Sequence, residues 1–75
     1  MTKMARPGAF TPAATVDLII DFNDADDDYR RVRAEQWCVL HAEGKWLRRI
    51  PRDAGIARFE FESVRDAALF KLWHG

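Results

Sequence analysis

The spacing of apolar residues changes several times along this chain, and these changes constrain its fold more than any other feature. Residues 16–22 alternate between apolar and polar side chains, which is typical of a strand with one buried face. Residues 29–40 repeat their apolar side chains with a helical period, and residues 56–62 return to alternation. A second helical segment follows residues 63–66, which have the form of a helix-capping sequence. Strands and helices therefore follow one another in a single short chain.

These segments predict an α+β fold with the element order β-α-β-β-α. The first helix is expected at 25–43, with Gly44 as a left-handed residue at its end. Residues 45–50 predict a second strand, joined to the third by a hairpin link. A right-handed crossover before this hairpin gives a three-stranded sheet of order 1-3-2 with two helices on one face. This is a truncated ferredoxin-like arrangement, in which the strand at 16–22 is left as an open edge.

The two predicted helices differ in how their apolar residues are distributed. In the first, Tyr29, Val32, Val39 and Leu40 fall on one stripe, which we expect to face the sheet. The last helix is apolar nearly all round, so that one side should pack on the sheet. The other side either packs on the first helix or stays exposed as an anchor for a partner.

Length and cysteine content limit the kind of protein further. Seventy-five residues support one domain, which we place at 15–75 behind a flexible N-terminal arm at 1–14. A single cysteine, Cys38, excludes an internal disulfide and fits a reducing compartment. No apolar run is long enough to cross a bilayer, so we expect a cytoplasmic protein with no membrane contact.

The charges balance overall but are unevenly placed. A formal net charge of zero disfavours binding of nucleic acid mainly by counterion release. Acidic residues crowd 17–28, whereas basic residues crowd 45–58 and define a basic hairpin. This hairpin either meets phosphates or acidic protein surfaces, or its arginines pair across the sheet with nearby acids. The predicted partner-binding residues are Lys45, Trp46, Arg48, Arg49, Arg52, Arg58, Phe70 and Trp73.

The acidic cluster has part of the residue spacing of a calcium site. Asp24, Asp26 and Asp28, followed by Glu35, imitate the ligand spacing of an EF-hand loop. Position six of that loop is Tyr29, where the sharp turn requires glycine. We therefore interpret these acids as charges that favour the start of a helix.

Cys38 and His41 form the second group with chemical potential, since they lie three apart on one side of the predicted helix. A metal site needs three or four ligands, and only His74 remains among the histidines. A Cys-His catalytic pair would need an orienting group and oxyanion donors, which the sequence does not supply nearby. The sequence predicts no catalytic residue, no metal and no cofactor.

Residues 57–68 carry the pattern F-x-F-E-S-x-x-D-A. This pattern resembles the third strand and second helix of RNA-recognition-motif domains, and it implies their ferredoxin-like fold. RNA binding in that family depends on aromatic residues on the open face of the sheet. Here Ile56, Arg58 and Asp17 stand at those positions, while Phe59 and Phe61 match inward positions. The resemblance therefore implies a fold without the base-stacking platform.

A second, wider pattern spans about half of the chain. It consists of Ala34-x-x-Trp37-Cys38, Gly44-Lys45-Trp46, Phe59-x-Phe61 and Asp66-Ala67-Ala68-Leu69-Phe70-x-Leu72-Trp73. This pattern resembles small, mostly uncharacterised bacteriophage-encoded proteins. The resemblance carries no activity, and it implies a context in which small proteins inhibit or redirect a host protein.

These observations predict a non-enzymatic protein-binding module, of the kind that a phage uses as an inhibitor or adaptor in the host cytoplasm. One alternative is a nucleic-acid accessory protein that uses the basic hairpin. Another is a minor structural component of a virion. The expected partner is a host protein or a second copy of the chain, the latter joined through the strand edge at 16–22.

Overall fold

The computed structural model describes residues 2–51 and 55–74, and its five elements follow the predicted order. Three strands form an antiparallel sheet of order β1-β3-β2, with β3 in the centre. The predicted α+β architecture and strand order 1-3-2 are confirmed. The elements are β1 (Ala14–Ile19), α1 (Ala25–His41), β2 (Trp46–Arg49), β3 (Ile56–Phe61) and α2 (Val64–His74).

One face of the sheet forms the core together with both helices. The strand register places Leu18, Phe59 and Phe61 on this face, and all three side chains are buried. Their neighbours along each strand point to the opposite face, which we call the open face. As predicted, Phe59 and Phe61 therefore point inward.

Phe70 of α2 joins the aromatic rings of the sheet at the centre of the core. Its ring centroid lies 4.7 Å from that of Phe59 and 5.1 Å from that of Phe61. Trp46 stacks on the other side of Phe59, with a centroid distance of 6.4 Å. Trp46 and Phe70 are 1% and 0% exposed. The prediction that these two residues contact a partner is therefore wrong, because the core already covers both rings.

The apolar stripe predicted for α1 is wrong for two of its residues, whereas Val39 packs against the core. Tyr29 and Leu40 are exposed, and the buried residues of α1 are Ala34 and Cys38. The aromatic rings of the sheet and α2 fill most of the core volume, which leaves space for small side chains on α1. The helix therefore turns Tyr29 and Leu40 toward solvent.

β1 spans a different range from the predicted strand at 16–22. Ala14 already pairs with Phe61 across the sheet, and the strand ends at Ile19. Beyond it, the Asp21 side chain accepts a hydrogen bond from the Asn23 N–H, and the Asp21 carbonyl accepts one from the Asp24 N–H. Such local bonds favour a turn over a strand. Phe22 consequently lies outside the core.

Asp66 of α2 holds the connection that follows α1. Its Oδ2 atom accepts hydrogen bonds from the backbone N–H groups of Glu43 and Gly44, at 3.0 and 2.8 Å. Ser63 caps α2 as predicted, because its Oγ accepts the Asp66 N–H at 3.2 Å. The carboxylate of this capping sequence thus reaches across to the α1–β2 connection. Asp66 is fully buried, so it ties two distant segments together inside the fold.

Gly44 does not adopt the left-handed conformation that the sequence predicts for it. α1 ends at His41, and Ala42 after it has an extended backbone. A Cβ atom at position 44 would lie 3.3 Å from the Ser63 Cβ and 3.3 Å from Glu62 Oε1. Close packing against these neighbours, rather than backbone conformation, therefore favours glycine here.

Residues 2–13 dock on the domain at several points. The Thr2 N–H donates to the Val39 carbonyl at 2.9 Å, and the Ala5 N–H donates to the Trp46 carbonyl at 2.8 Å. Thr2 Oγ1 also accepts the Trp46 indole N–H at 3.1 Å and donates to the Cys38 carbonyl at 3.1 Å. The arm therefore satisfies the polar atom of a buried tryptophan and covers part of the β2 edge.

Replacing Asp66 tests whether its hydrogen bonds to Glu43 and Gly44 stabilise the fold. Asp66→Ala removes the acceptor for two backbone N–H groups, and we expect it to lower the free energy of unfolding by about 1–3 kcal/mol. Asp66→Asn keeps an oxygen that can accept both bonds, so its loss should be clearly smaller. Urea unfolding, followed by tryptophan fluorescence, measures both variants. Equal losses would mean that packing, not hydrogen bonding, accounts for the effect.

The docked arm makes a second prediction. Thr2→Val has nearly the shape of threonine but cannot bond the Trp46 indole, and we expect a loss of about 1 kcal/mol of unfolding free energy. Thr2→Ser keeps the hydroxyl and serves as the matched control. An unchanged urea midpoint in Thr2→Val would show that the arm does not stabilise the fold.

Candidate partner-binding surfaces

The predicted basic hairpin does not form one continuous surface. Arg49 and Arg58 lie opposite each other on the open face of the sheet. Arg48 lies opposite Phe59, on the face that the helices cover. Lys45 is exposed just before β2, and Arg52 lies outside the described residues. The structure therefore divides the described basic residues between two faces of the sheet.

On the open face, both arginines pair with carboxylates of neighbouring strands. Arg58 donates two hydrogen bonds to Asp17 of β1, at 2.9 and 3.1 Å. Arg49 of β2 pairs with Glu60 of β3. The hydrogen bond from Arg58 holds the pKa of Asp17 below its ordinary value. For these two arginines, the structure confirms the interpretation that they pair across the sheet.

Arg48 joins a charge network that links β2 to α1. Its Nε lies 2.9 Å from one carboxylate oxygen of Glu35, and Arg31 Nη1 lies 2.9 Å from the other. Arg31 also pairs with Asp28 at 2.9 Å. Asp28 and Glu35 together carry as many charges as Arg31 and Arg48, so the charge of Arg48 is compensated within the fold.

The acidic cluster serves the start of α1. The Asp24 side chain accepts the backbone N–H groups of Asp26 and Asp27, at 3.0 and 3.4 Å. Asp27 accepts the Asp21 N–H and pairs with Arg30, and both interactions lower the pKa of its carboxyl, the first more strongly. Within residues 2–51 and 55–74, no three His, Cys, Asp or Glu side chains are grouped to hold a metal ion.

Cys38 and His41 lie on the same helix but in different environments. Cys38 is fully buried, and burial, followed by the charges of Asp66 and Glu35, raises the pKa of its thiol. The exposed His41 ring packs beside Trp37, with a centroid distance of 5.5 Å. A buried thiol whose thiolate form is disfavoured is poorly suited to nucleophilic chemistry.

The outer side of α2 carries an exposed apolar surface. Leu72 is 77% exposed and Trp73 is 70% exposed, and Ala68 and Val64 lie one and two turns before Leu72 on the same side. The inner side of α2 carries Phe70. In the described part of the chain, no helix has both the length and the apolar character that crossing a membrane requires.

A groove runs between α1 and α2 beside this apolar surface. Its first part has a volume of about 470 Å³. Its floor includes Trp37, whose ring meets those of Phe70 and His74 edge-on at centroid distances of 5.8 and 5.9 Å. The residues that matter most for its chemistry are Arg30, Arg33, Trp37, Leu40, Trp73 and His74. Aromatic and basic side chains thus occur together at this site.

The second part of the groove lies toward the C-terminal end of α1. Its volume is about 480 Å³, and it shares Trp37, His41 and Trp73 with the first part. At its far end Arg65 pairs with Glu43, with 2.7 Å between Nη1 and Oε1. We call the two parts together the interhelix groove. It has a basic end, an apolar middle and an end where charges are balanced.

His74 lies at the basic end of the interhelix groove. Burial and, to a lesser extent, the charge of Arg33 lower the pKa of its imidazole. Its Nε2 atom is buried and has no hydrogen-bond partner among the described residues. The ring therefore favours its neutral form and packs as an aromatic, with its centroid 5.1 Å from that of Phe70.

Of the predicted binding residues that the structure describes, Trp73 alone lies in the interhelix groove. Arg33, Trp37 and Leu40 were not predicted as binding residues, because they come from a helix whose buried side was assigned incorrectly. The sequence did carry one relevant signal. An apolar surface all round α2 left two alternatives open, that both sides are covered within the fold or that one side awaits a partner.

The ion pair on the open face gives a pH-dependent prediction. A carboxyl with a lowered folded-state pKa stabilises the fold above its unfolded pKa, about 3.9, and this stabilisation is lost as the pH falls through the folded value. We expect Asp17→Asn and Arg58→Gln to show a small favourable coupling at pH 7 that disappears in acid. A double-mutant cycle of urea unfolding at several pH values measures it. A coupling that persists in strong acid would contradict the assignment.

Comparisons with known proteins add no relative. No protein-family model, curated protein or solved structure matches the chain. The resemblances to bacteriophage-encoded proteins and to RNA-recognition-motif domains therefore stay predictions from sequence patterns. The functional argument accordingly depends on the surfaces of the molecule itself.

Proposed function

We propose that this protein is a non-enzymatic protein-binding module and that it binds through the interhelix groove and the outer side of α2. The observation that carries the proposal is the exposure of Leu72 and of Trp73, which lines the interhelix groove together with Trp37. Large apolar side chains that cluster on a surface are typical of sites where another protein docks. Aromatic residues in particular supply much of the binding energy at such sites.

The exposed residues of α2 are not needed for the packing of its own core. Phe70 and Ala67 already supply the apolar contacts of the inner side, and Asp66 anchors the first turn. Leu72 and Trp73 leave apolar area in water, which costs roughly 25 cal/mol per Å² relative to burial. A partner that covers them recovers this free energy.

The nucleic-acid alternative receives less support from the same surfaces. This alternative depends on arginines that already pair with carboxylates, namely Arg48, Arg49 and Arg58. Binding phosphates would break these ion pairs. The bacteriophage resemblance extends our proposal to an inhibitor or adaptor of a host protein. That extension depends on the sequence pattern alone.

Two equally exposed positions allow a matched test. Leu72 is 77% exposed on α2, whereas Ile19 is 79% exposed on the open face of the sheet. We expect the full chain, immobilised and exposed to a bacterial lysate, to retain a stoichiometric protein partner. Leu72→Glu should abolish this retention, whereas Ile19→Glu should leave it unchanged.

The same experiment separates the alternatives. Both variants must first show the urea midpoint and the size of the parent chain, so that loss of binding reports on the surface. Equal retention by Leu72→Glu and the parent chain would contradict the proposed site. A partner that disappears after nuclease treatment, with steep salt dependence, would contradict a protein-binding function and favour nucleic acid.

A further inference from the structure

We infer that the interhelix groove receives an acidic peptide segment of its partner, in which a bulky apolar side chain is flanked on one side by carboxylates. The inference rests on the proposed function and specifies the chemistry of the partner. The apolar side chain would lie among Trp37, Leu40 and Trp73, and the carboxylates would pair with Arg33 and Arg30.

The charge at one end of the groove supports an acidic partner. Arg30 and Arg33 line this end, and no carboxylate of the described residues lines the first part of the groove with them. Arg30 is already paired with Asp27, whereas Arg33 forms no ion pair with any other described residue. Arg33 is also exposed, so its guanidinium is available to a carboxylate from outside.

The middle of the groove supports a bulky apolar anchor. Trp37 is partly buried and rests on Phe70, so its ring is held in place by the core. Trp73 and Leu40 are mostly exposed and line the groove beside it. A side chain inserted here would cover apolar area on three residues and would need little rearrangement of the floor.

Carboxylates suit this groove better than a phosphate backbone does. A nucleic acid carries a charge on every nucleotide and would meet Glu43 at the other end of the groove, although that acid is paired with Arg65. The aliphatic side chains of Leu40 and Leu69 offer nothing to phosphates. A short acidic stretch needs cations at one end alone, which is the arrangement that the groove provides.

This arrangement also gives the bound segment a direction. Its acidic end should lie at Arg33, and its apolar part should run toward Leu69 and the pair Glu43–Arg65. A segment bound the other way round would place carboxylates near Glu43 and leave Arg33 without a partner. Electrostatic complementarity of this kind determines specificity and register at protein interfaces.

Selection from a random 12-residue peptide library on the immobilised full chain tests the inference. We expect enriched peptides to carry a bulky apolar residue with Asp or Glu on one side. On Arg33→Glu, this acidic preference should disappear, and a selected peptide should bind about tenfold more weakly. Lys71→Glu makes the same charge change on an exposed residue outside the groove, and it should bind the peptide as the parent chain does.

The three tryptophans report where the selected peptide binds. Its titration should shift the indole N–H signals of Trp37 and Trp73 in NMR spectra. The signal of Trp46 should stay in place, since that indole is buried and bonded to Thr2. A version of the peptide with Lys in place of its acids should produce no shifts at the same concentration.

Other outcomes would overturn the inference in distinguishable ways. An apolar peptide could shift the Trp73 indole signal equally whether its flanking residues are acids or lysines. That result would refute an acidic partner but would not contradict the protein-binding function. Peptides that bind without affecting Trp37 or Trp73 would refute the site as well. Single-stranded DNA that shifts both indoles more than the selected peptide would refute a protein partner in this groove.

Discussion

The packing of Phe70 against Phe59 and Phe61 determines how α2 is rotated on the sheet. Once this ring is buried, the helical period places Ala67 on the inner side and carries Ala68 and Leu72 to the outer side. The same rotation leaves Trp73 at the mouth of the interhelix groove. The exposed apolar surface is therefore a consequence of the way in which the core is filled, and no second element among the described residues covers the outer side of α2.

α1 makes the complementary contribution. Its small buried residues, Ala34 and Cys38, let the aromatic rings of the sheet occupy the core, while Trp37 packs edge-on against Phe70 and lines the interhelix groove. Glu35 joins this helix to the β2 strand through Arg48, and Asp66 joins its end to α2. Several independent contacts thus hold the two walls of the interhelix groove. A groove whose walls are already held in place loses less conformational entropy when a partner binds.

The sequence was sufficient for the element order and the sheet topology, because alternating and helical periods are strong local signals and the crossover rule leaves few alternatives. It failed where burial depends on volume. Leu40 and Tyr29 have the pattern of core residues, yet Cys38 and Ala34 take the buried side because larger rings arrive from elsewhere. Trp46 and Phe70 were assigned to a binding surface, although their large rings fill the core. The groove itself joins residues of two helices, and no local pattern indicates that Arg33 and Trp73 line the same groove.

The central position of β3 has a consequence for how the molecule forms. β1 and β2 are not hydrogen-bonded to each other in the sheet, and each pairs with β3. Residues 14–19 can therefore form their sheet hydrogen bonds only when residues 56–61, some forty positions later, are in place. The entropy of closing so long a loop slows this step relative to local helix formation. During synthesis, β1 stays unpaired until residues 56–61 have been made, whereas α1 can form earlier from local contacts.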